Sequence, residues 1–160
     1  MFRRRAGKAV AVAANQDCAQ DTVDAIEHLE AVRRGWNAFN HRDFAGAVRY
    51  FHPDGEVFLV RDRRDPEGGV NAGPLRGRDE VRRFLEELSN AWQRVTVELR
   101  EVLVSPDGRL LAVEGWQIER PEIAVATKTI TVYTFRDGLV ARLEGFVHKA
   151  KALEGLGSRK

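Results

Sequence analysis

The stretch TKTITVYTFRDGLVARLEGFVHKAKALEGL, Thr127–Leu156, decides how the rest of the chain is read. Its first arm alternates, with Ile130, Val132 and Thr134 on one side and Thr129, Thr131, Tyr133 and Phe135 on the other. That period of two is the pattern of a strand. Asp137-Gly138 leads into a second arm, and Asp-Gly between two such runs favours a type I′ turn. The second arm sets Ala141, Leu143, Gly145 and Val147 against Arg142, Glu144, Phe146 and His148. The face that turns inward decides which side chains a ligand can meet.

Working outward, Val95–Val104 and Leu110–Glu119 also alternate, joined by a Pro106-Asp107-Gly108 turn, and Pro121 breaks the chain before the hairpin. Further upstream the period changes. Val23, Ile26, Leu29, Val32, Trp36 and Phe39 recur at three- and four-residue spacing after an N-cap at Asp21-Thr22, which predicts an amphipathic helix ending near Asn40. Asp43 caps a short second helix through Phe44, Val48 and Phe51, stopped by Pro53-Asp54-Gly55, and Glu56–Val60 follows as a short strand. Residues 61–77 hold four of the fourteen glycines and two of the five prolines, the mark of a long loop. Such a loop is a lid, a binding loop or simply disordered. Arg78–Trp92 forms a third helix with Val81, Phe84, Leu85, Leu88 and Trp92 as its apolar stripe. The plan is α+β: three N-terminal helices packed on a strongly curved, mainly antiparallel sheet, the two together closing a cone around a cavity. Residues 1–21 read as a disordered leader, 22–156 as one domain and 157–160 as a tail, with Lys149–Gly155 a short closing helix or part of that tail.

Bulk properties bound the function. The chain has 160 residues, 43% hydrophobic and 31% charged, with a net charge of +2, which suits one globular domain and argues against a dedicated nucleic-acid binder. Cys18 is the single cysteine, so neither an intrachain disulfide nor a cysteine zinc site is possible. No apolar run reaches the ~18 residues of a membrane helix. The opening MFRRRAGKAVAVAANQ imitates a signal peptide, but its apolar run is too short for one. The expectation is a cytoplasmic protein without membrane or nucleic-acid partners. There is no phosphate loop, nucleophile elbow, zinc-binding His-Glu pattern or dinucleotide fingerprint, and His28, His41, His52 and His148 lack ligand spacing, so no metal and no cofactor are implied.

Three segments together resemble the SnoaL-like proteins of the nuclear transport factor 2-like superfamily: WNAFNHRDFAGAVRYFHPDGEV at 36–57, GRDEVRRFL at 77–85 and FRDGLVARLEGFVHKAKALEGLG at 135–157. The resemblance implies a conical α+β barrel with an internal pocket, and a homodimer through the outer sheet face. It leaves function open, since cyclases, isomerases, hydrolases, dehydratases and binding modules share the fold. The superfamily's steroid isomerases allow a test by position. Their general-base Asp falls at Leu59, their oxyanion-hole Tyr at Gly35 and their protonated Asp at Thr131. Leucine and glycine side chains can neither abstract a proton nor stabilise an enolate, so that isomerase design is absent.

The same matching turns Thr129, Thr131 and Tyr133 inward, together with Ala141, Leu143, Gly145 and Val147 on the last strand, and Ala112, Glu114, Trp116 and Ile118 on Leu110–Glu119. Arg142, Glu144 and His148 then lean outward, towards Glu98 and Arg100, as an outer-face or interface ladder. Glu114 becomes the leading acid/base, a carboxyl on an apolar wall whose pKa rises by desolvation; alternatively it pairs with Lys128 or Arg100. His52 is a second candidate base, or a solvated group at a helix end. Asp62, beside Arg61, is a third, or part of a solvated charge run. Tyr133 is a hydrogen-bond donor to a ligand or ordinary core. The expected ligand wall comprises Trp36, Phe39, Phe51, Leu59, Phe84, Leu88 and Trp92 beside Trp116, Thr129, Thr131, Tyr133, Leu143 and Val147, with core packing the alternative for the helix aromatics. The predicted function is a small-molecule pocket protein, acting as a cofactor-independent cyclase, isomerase or dehydratase on a compact apolar or hydroxylated ligand. The alternative is a non-catalytic binding or dimeric scaffold module.

Overall fold

A computed structural model describes residues 16–59, 61 and 74–157. Helices α1 (Gln16–Asn40) and α2 (Phe44–Val48) lead into strand β1 (Phe51–Phe58), the short β2 (Leu75–Arg76) and helix α3 (Gly77–Ala91). The long strands β3 (Arg94–Val104), β4 (Leu110–Arg120), β5 (Ile123–Arg136) and β6 (Leu139–Phe146) follow, and α4 (Lys149–Gly157) closes the chain. The six strands form one open sheet in the order β2-β1-β6-β5-β4-β3, antiparallel except where β1 runs parallel to β6. The α+β plan with helices on a curved sheet is the expected one.

The hairpin turns as its sequence demands: Asp137 and Gly138 sit at φ 58° and 77°, the two positive values of a type I′ turn. Other boundaries differ from expectation. α1 begins at Gln16, six residues before Thr22, so the leader boundary at residue 21 falls inside a helix. Residues 1–15 and 158–160 lie outside the described residues. α2 ends at Val48 because the chain then joins the sheet, where the Val140 amide donates to the Tyr50 carbonyl. His52-Pro53-Asp54-Gly55 is therefore a bulge within β1, where five residues advance against two on β6, and not a helix stop. Gly55 is required there, since a Cβ would lie 2.5 Å from the Phe51 ring. β5 starts at Ile123, paired from the tip of the Pro121 turn.

The main core lies between the helices and the inner sheet face, around Val32, Phe39, Val81, Val97 and Ala112. A second, smaller cluster of Leu111, Ile130, Val132 and Ala152 lies on the outer face beneath α4. The buried Arg109 anchors that helix by donating to the Leu156 carbonyl at 3.1 Å. The anticipated ladder from Arg142 and Glu144 to Glu98 and Arg100 does not form, because β5 and β4 separate β6 from β3. Arg142 instead faces Glu56 at 3.8 Å, and Glu144 meets Arg61 at 3.3 Å.

β3 is an exposed sheet edge, and α1 covers part of it. The Asn40 side chain accepts from the Val97 amide at 2.8 Å and donates to the Val97 carbonyl at 2.9 Å, taking the place of a missing strand. Asn40→Ala leaves both groups unpaired and is expected to lower stability by about 1–3 kcal/mol in urea unfolding. A change below a few tenths of that range would show that the edge needs no such cover.

Candidate functional site

Alternation along β4 puts Ala112, Glu114, Trp116 and Ile118 on the inner face, and Glu114 lies opposite Thr129 of β5. α1 crosses above these strands and lowers Trp36 onto them. The Glu114 carboxyl is 1% exposed, and neutral donors reach it from two elements. Thr131 Oγ1 donates to Oε1 at 2.9 Å, and Trp36 Nε1 donates to Oε2 at 3.0 Å. The Tyr133 hydroxyl also donates to Oε2, and Trp36 Nε1 lies 2.8 Å from that hydroxyl as well. Thr129, opposite Glu114 across the strands, accepts from Trp116 Nε1 at 3.0 Å. No cation joins the group among the described residues, so the alternative pairings with Lys128 or Arg100 are not made: Arg100 lies against Gly115 and pairs with Glu98.

Burial pushes the Glu114 carboxyl above the usual carboxylate range, and the bonds from Tyr133, Thr131, Trp36 and Thr129 oppose that rise. Burial, followed by the Glu114 charge, drives Tyr133 well above the usual tyrosine range, so it keeps its proton. The site thus holds a buried carboxyl with a raised pKa beside a tyrosine hydroxyl that remains protonated.

These groups line a cavity of about 200 Å³. α1 contributes Trp36 and Phe39 to its wall, α3 contributes Phe84 and Leu88, and the β1 region contributes Phe51 and Leu59. Trp116, Thr129, Thr131, Tyr133 and Leu143 complete the part that the sequence anticipates. Trp36 and Trp116 meet edge to face at 5.4 Å, which braces the indole that reaches Glu114.

Five expectations need correction or fall elsewhere. Trp92 lies beyond the last turn of α3 in an extended conformation, and its ring stacks beneath Arg120 at 4.2 Å instead of entering the cavity. Val147 lies past the end of β6 and is 47% exposed. A register shift pairs Phe135 with Val140 and Thr134 with Arg142, leaving Ala141 as the extra residue. Val140 therefore faces the cavity where Ala141 was expected, while Leu143 and Gly145 keep their places. His52 belongs to the β1 bulge, where its ring accepts from the Asp54 amide at 3.0 Å and lies 3.5 Å from Asp137; it does not line the cavity. Asp62 lies outside the described residues, while its neighbour Arg61 sits on the outer face over the Phe58 ring.

Sequence reasoning also missed Tyr50, Leu75 and Val140 as lining residues. Leu75 was hidden in the presumed loop, and the other two in the bulged pairing of β1 and β6. Gly35, Leu59 and Thr131, where the steroid isomerases carry their functional side chains, all line the cavity.

Among the described residues no cluster of His, Cys, Asp and Glu is arranged to hold a metal, and no described helix is long and apolar enough to cross a membrane.

Comparisons with known proteins agree with this architecture. An uncharacterised protein of Mycobacterium tuberculosis is 31% identical over 127 residues, spanning 79% of this chain and 92% of that relative. The crystal structure of TerC with polyporic acid superposes with a TM-score of 0.63 at 19% identity, covering 82% of this chain and 98% of TerC. The Δ5-3-ketosteroid isomerase of Mycobacterium sp. gives a TM-score of 0.62 at 16% identity, covering 78% and 95% of the two chains. At such identities the likeness is one of fold. The SnoaL-like domain model matches residues 32–143, and the chain belongs to the SnoaL-like domain family.

Proposed function

We propose that the cavity binds a compact, largely apolar small molecule and that Glu114 exchanges a proton with it, making the protein an acid–base enzyme of the cyclase, isomerase or dehydratase kind. One observation carries this reading: a fully buried carboxyl with a raised pKa lining an otherwise apolar cavity, bonded by O–H and N–H groups and by no cation. Such a group holds its proton to higher pH than a solvated carboxyl does, which is the kind of tuning general acid–base chemistry uses. The proton has a route, since the Tyr133 and Thr131 hydroxyls line the cavity and both bond to Glu114. A cavity of about 200 Å³ limits the ligand to less than drug size. That TerC was crystallised with polyporic acid supports a small organic ligand in this fold.

The test begins with a thermal-shift screen of small hydroxylated and keto compounds. Those that stabilise the protein are then followed by proton NMR in D2O for exchange or conversion, with Glu114→Gln as the control. Conversion that persists in the variant sinks the acid–base role.

A non-catalytic binding protein is the second reading, favoured by the full set of protein donors around Glu114. It predicts stabilising compounds that are never converted.

We propose that two copies meet through the part of the outer sheet face that lies away from α4. Sedimentation equilibrium giving the mass of a single chain at tens of micromolar would overturn it.

A further inference from the structure

The hydrogen bonds around Glu114 are satisfied, but its charge is not. A carboxylate accepts at about four lone-pair sites, and Thr131, Tyr133 and Trp36 supply donors across both of its oxygens. All three donors are neutral. None of the residues lining the cavity is a lysine, arginine or histidine. A buried carboxylate with no counter-charge is costly, so the empty site takes up a proton more readily than a solvated one. The rest of the wall is rich in aromatic rings. Trp36, Phe39, Tyr50, Phe84, Trp116 and Tyr133 all border the same space, and an aromatic face attracts a cation.

A ligand suited to this site supplies positive charge and asks for no lone pair. A neutral alcohol must displace a protein donor to bond with Glu114, and an anion meets the carboxylate. We propose that the cavity takes a compact alkylammonium compound, its methylated nitrogen set among the aromatic rings beside Glu114. This rests on the cavity being a ligand site, and it assigns the charge of that ligand.

The proton and the cation then compete for Glu114, so affinity for a permanently charged ammonium rises with pH through the folded pKa of this carboxyl. Other groups that face it leave that dependence unblurred. Tyr133 on β5 stays protonated, and Trp36, Thr129 and Thr131 do not titrate in this range. His28 on α1 stacks on Phe135 at 4.0 Å, outside the cavity wall, and burial holds it below the usual histidine range.

Three probes of one shape separate the possibilities: choline, its uncharged isostere 3,3-dimethylbutan-1-ol and the anion 3,3-dimethylbutanoate. Binding is measured on the full chain by calorimetry between pH 5 and 8. At pH 8 choline is expected to bind about tenfold more tightly than the alcohol, the scale of a desolvated cation–aromatic contact. That advantage shrinks as pH falls, and the anion gives no signal. Glu114→Gln narrows the advantage of choline over the alcohol to what the rings alone supply and removes its pH dependence. The isostere comparison in the unaltered protein stands even if the variant misfolds. Equal binding of choline and the alcohol at every pH overturns the ammonium assignment and leaves the cavity reading in place. If none of the three binds, both readings fall.

Discussion

Glu114→Gln is expected to slow turnover of the protein's substrate by about 10²–10⁴-fold, the usual contribution of a positioned acid–base group. Glutamine fills the same volume and keeps one oxygen to accept from Thr131 or Tyr133, so the cavity wall stays in place. What it loses is the exchangeable proton. Stability should change little at neutral pH, because two effects oppose each other. The amide turns an N–H2 towards donors that had met an oxygen, which costs stability. It also removes a desolvated charge, which restores some. The pH profile tells them apart. Burial raises the folded pKa of Glu114 above its unfolded value, so the native state holds more protons in the interval between the two. In that interval the stabilisation from this group is present at the acid end and is lost as pH rises through the folded pKa. The variant should lack that decline. A variant whose activity stays within a few fold of the unaltered protein, with an unchanged stability profile, would remove Glu114 from the mechanism.

The position of Glu114 was legible because period-two alternation holds along β4 without interruption, so Ala112, Trp116 and Ile118 carried it inward with them. The same logic failed wherever an extra residue entered a strand. Nothing in VARLEG marks Ala141 as the one that drops out of register, and Val140 therefore changed faces unannounced. His52 misled for another reason. Its sequence neighbours Pro53 and Asp54 suggested a helix end beside a carboxylate, whereas the parallel pairing of β1 with β6 brings it to Arg136 and Asp137. A pairing across that span depends on strand order, which a local pattern does not encode. Trp92 kept helical spacing with Leu88 and Leu85, but its φ of −127° and ψ of 158° turn the chain out of the helix, and its ring lies beneath Arg120. Arg142 and Glu144 were rightly turned outward and wrongly partnered, since side-chain direction is a local property and strand adjacency is not.

Phe39→Ala is expected to destabilise the fold by about 3–5 kcal/mol, the cost of truncating a fully buried aromatic ring. Phe39 is 1% exposed and touches three rings edge to face: Trp36 at 5.5 Å, Phe44 at 6.0 Å and Trp116 at 6.3 Å. It also borders the cavity, so truncation adds to existing empty space instead of opening a hole that the core could close. The loss should therefore lie towards the upper part of the range, with a thermal midpoint lower by roughly 10 °C or more for a domain of this size. The consequence extends beyond stability. Trp36 reaches Glu114 and Tyr133 through one N–H, and Phe39 is part of what fixes the orientation of its indole. Phe39→Leu restores most of the volume and should recover the greater part of the stability, but not the edge-to-face contact that orients Trp36. Compared at equal fractions folded, Phe39→Leu should bind any cavity ligand more weakly than the unaltered protein. A loss below about 1 kcal/mol in Phe39→Ala would mean that the wall collapses freely onto the cavity, and the rigid support inferred for the Glu114 site would go with it.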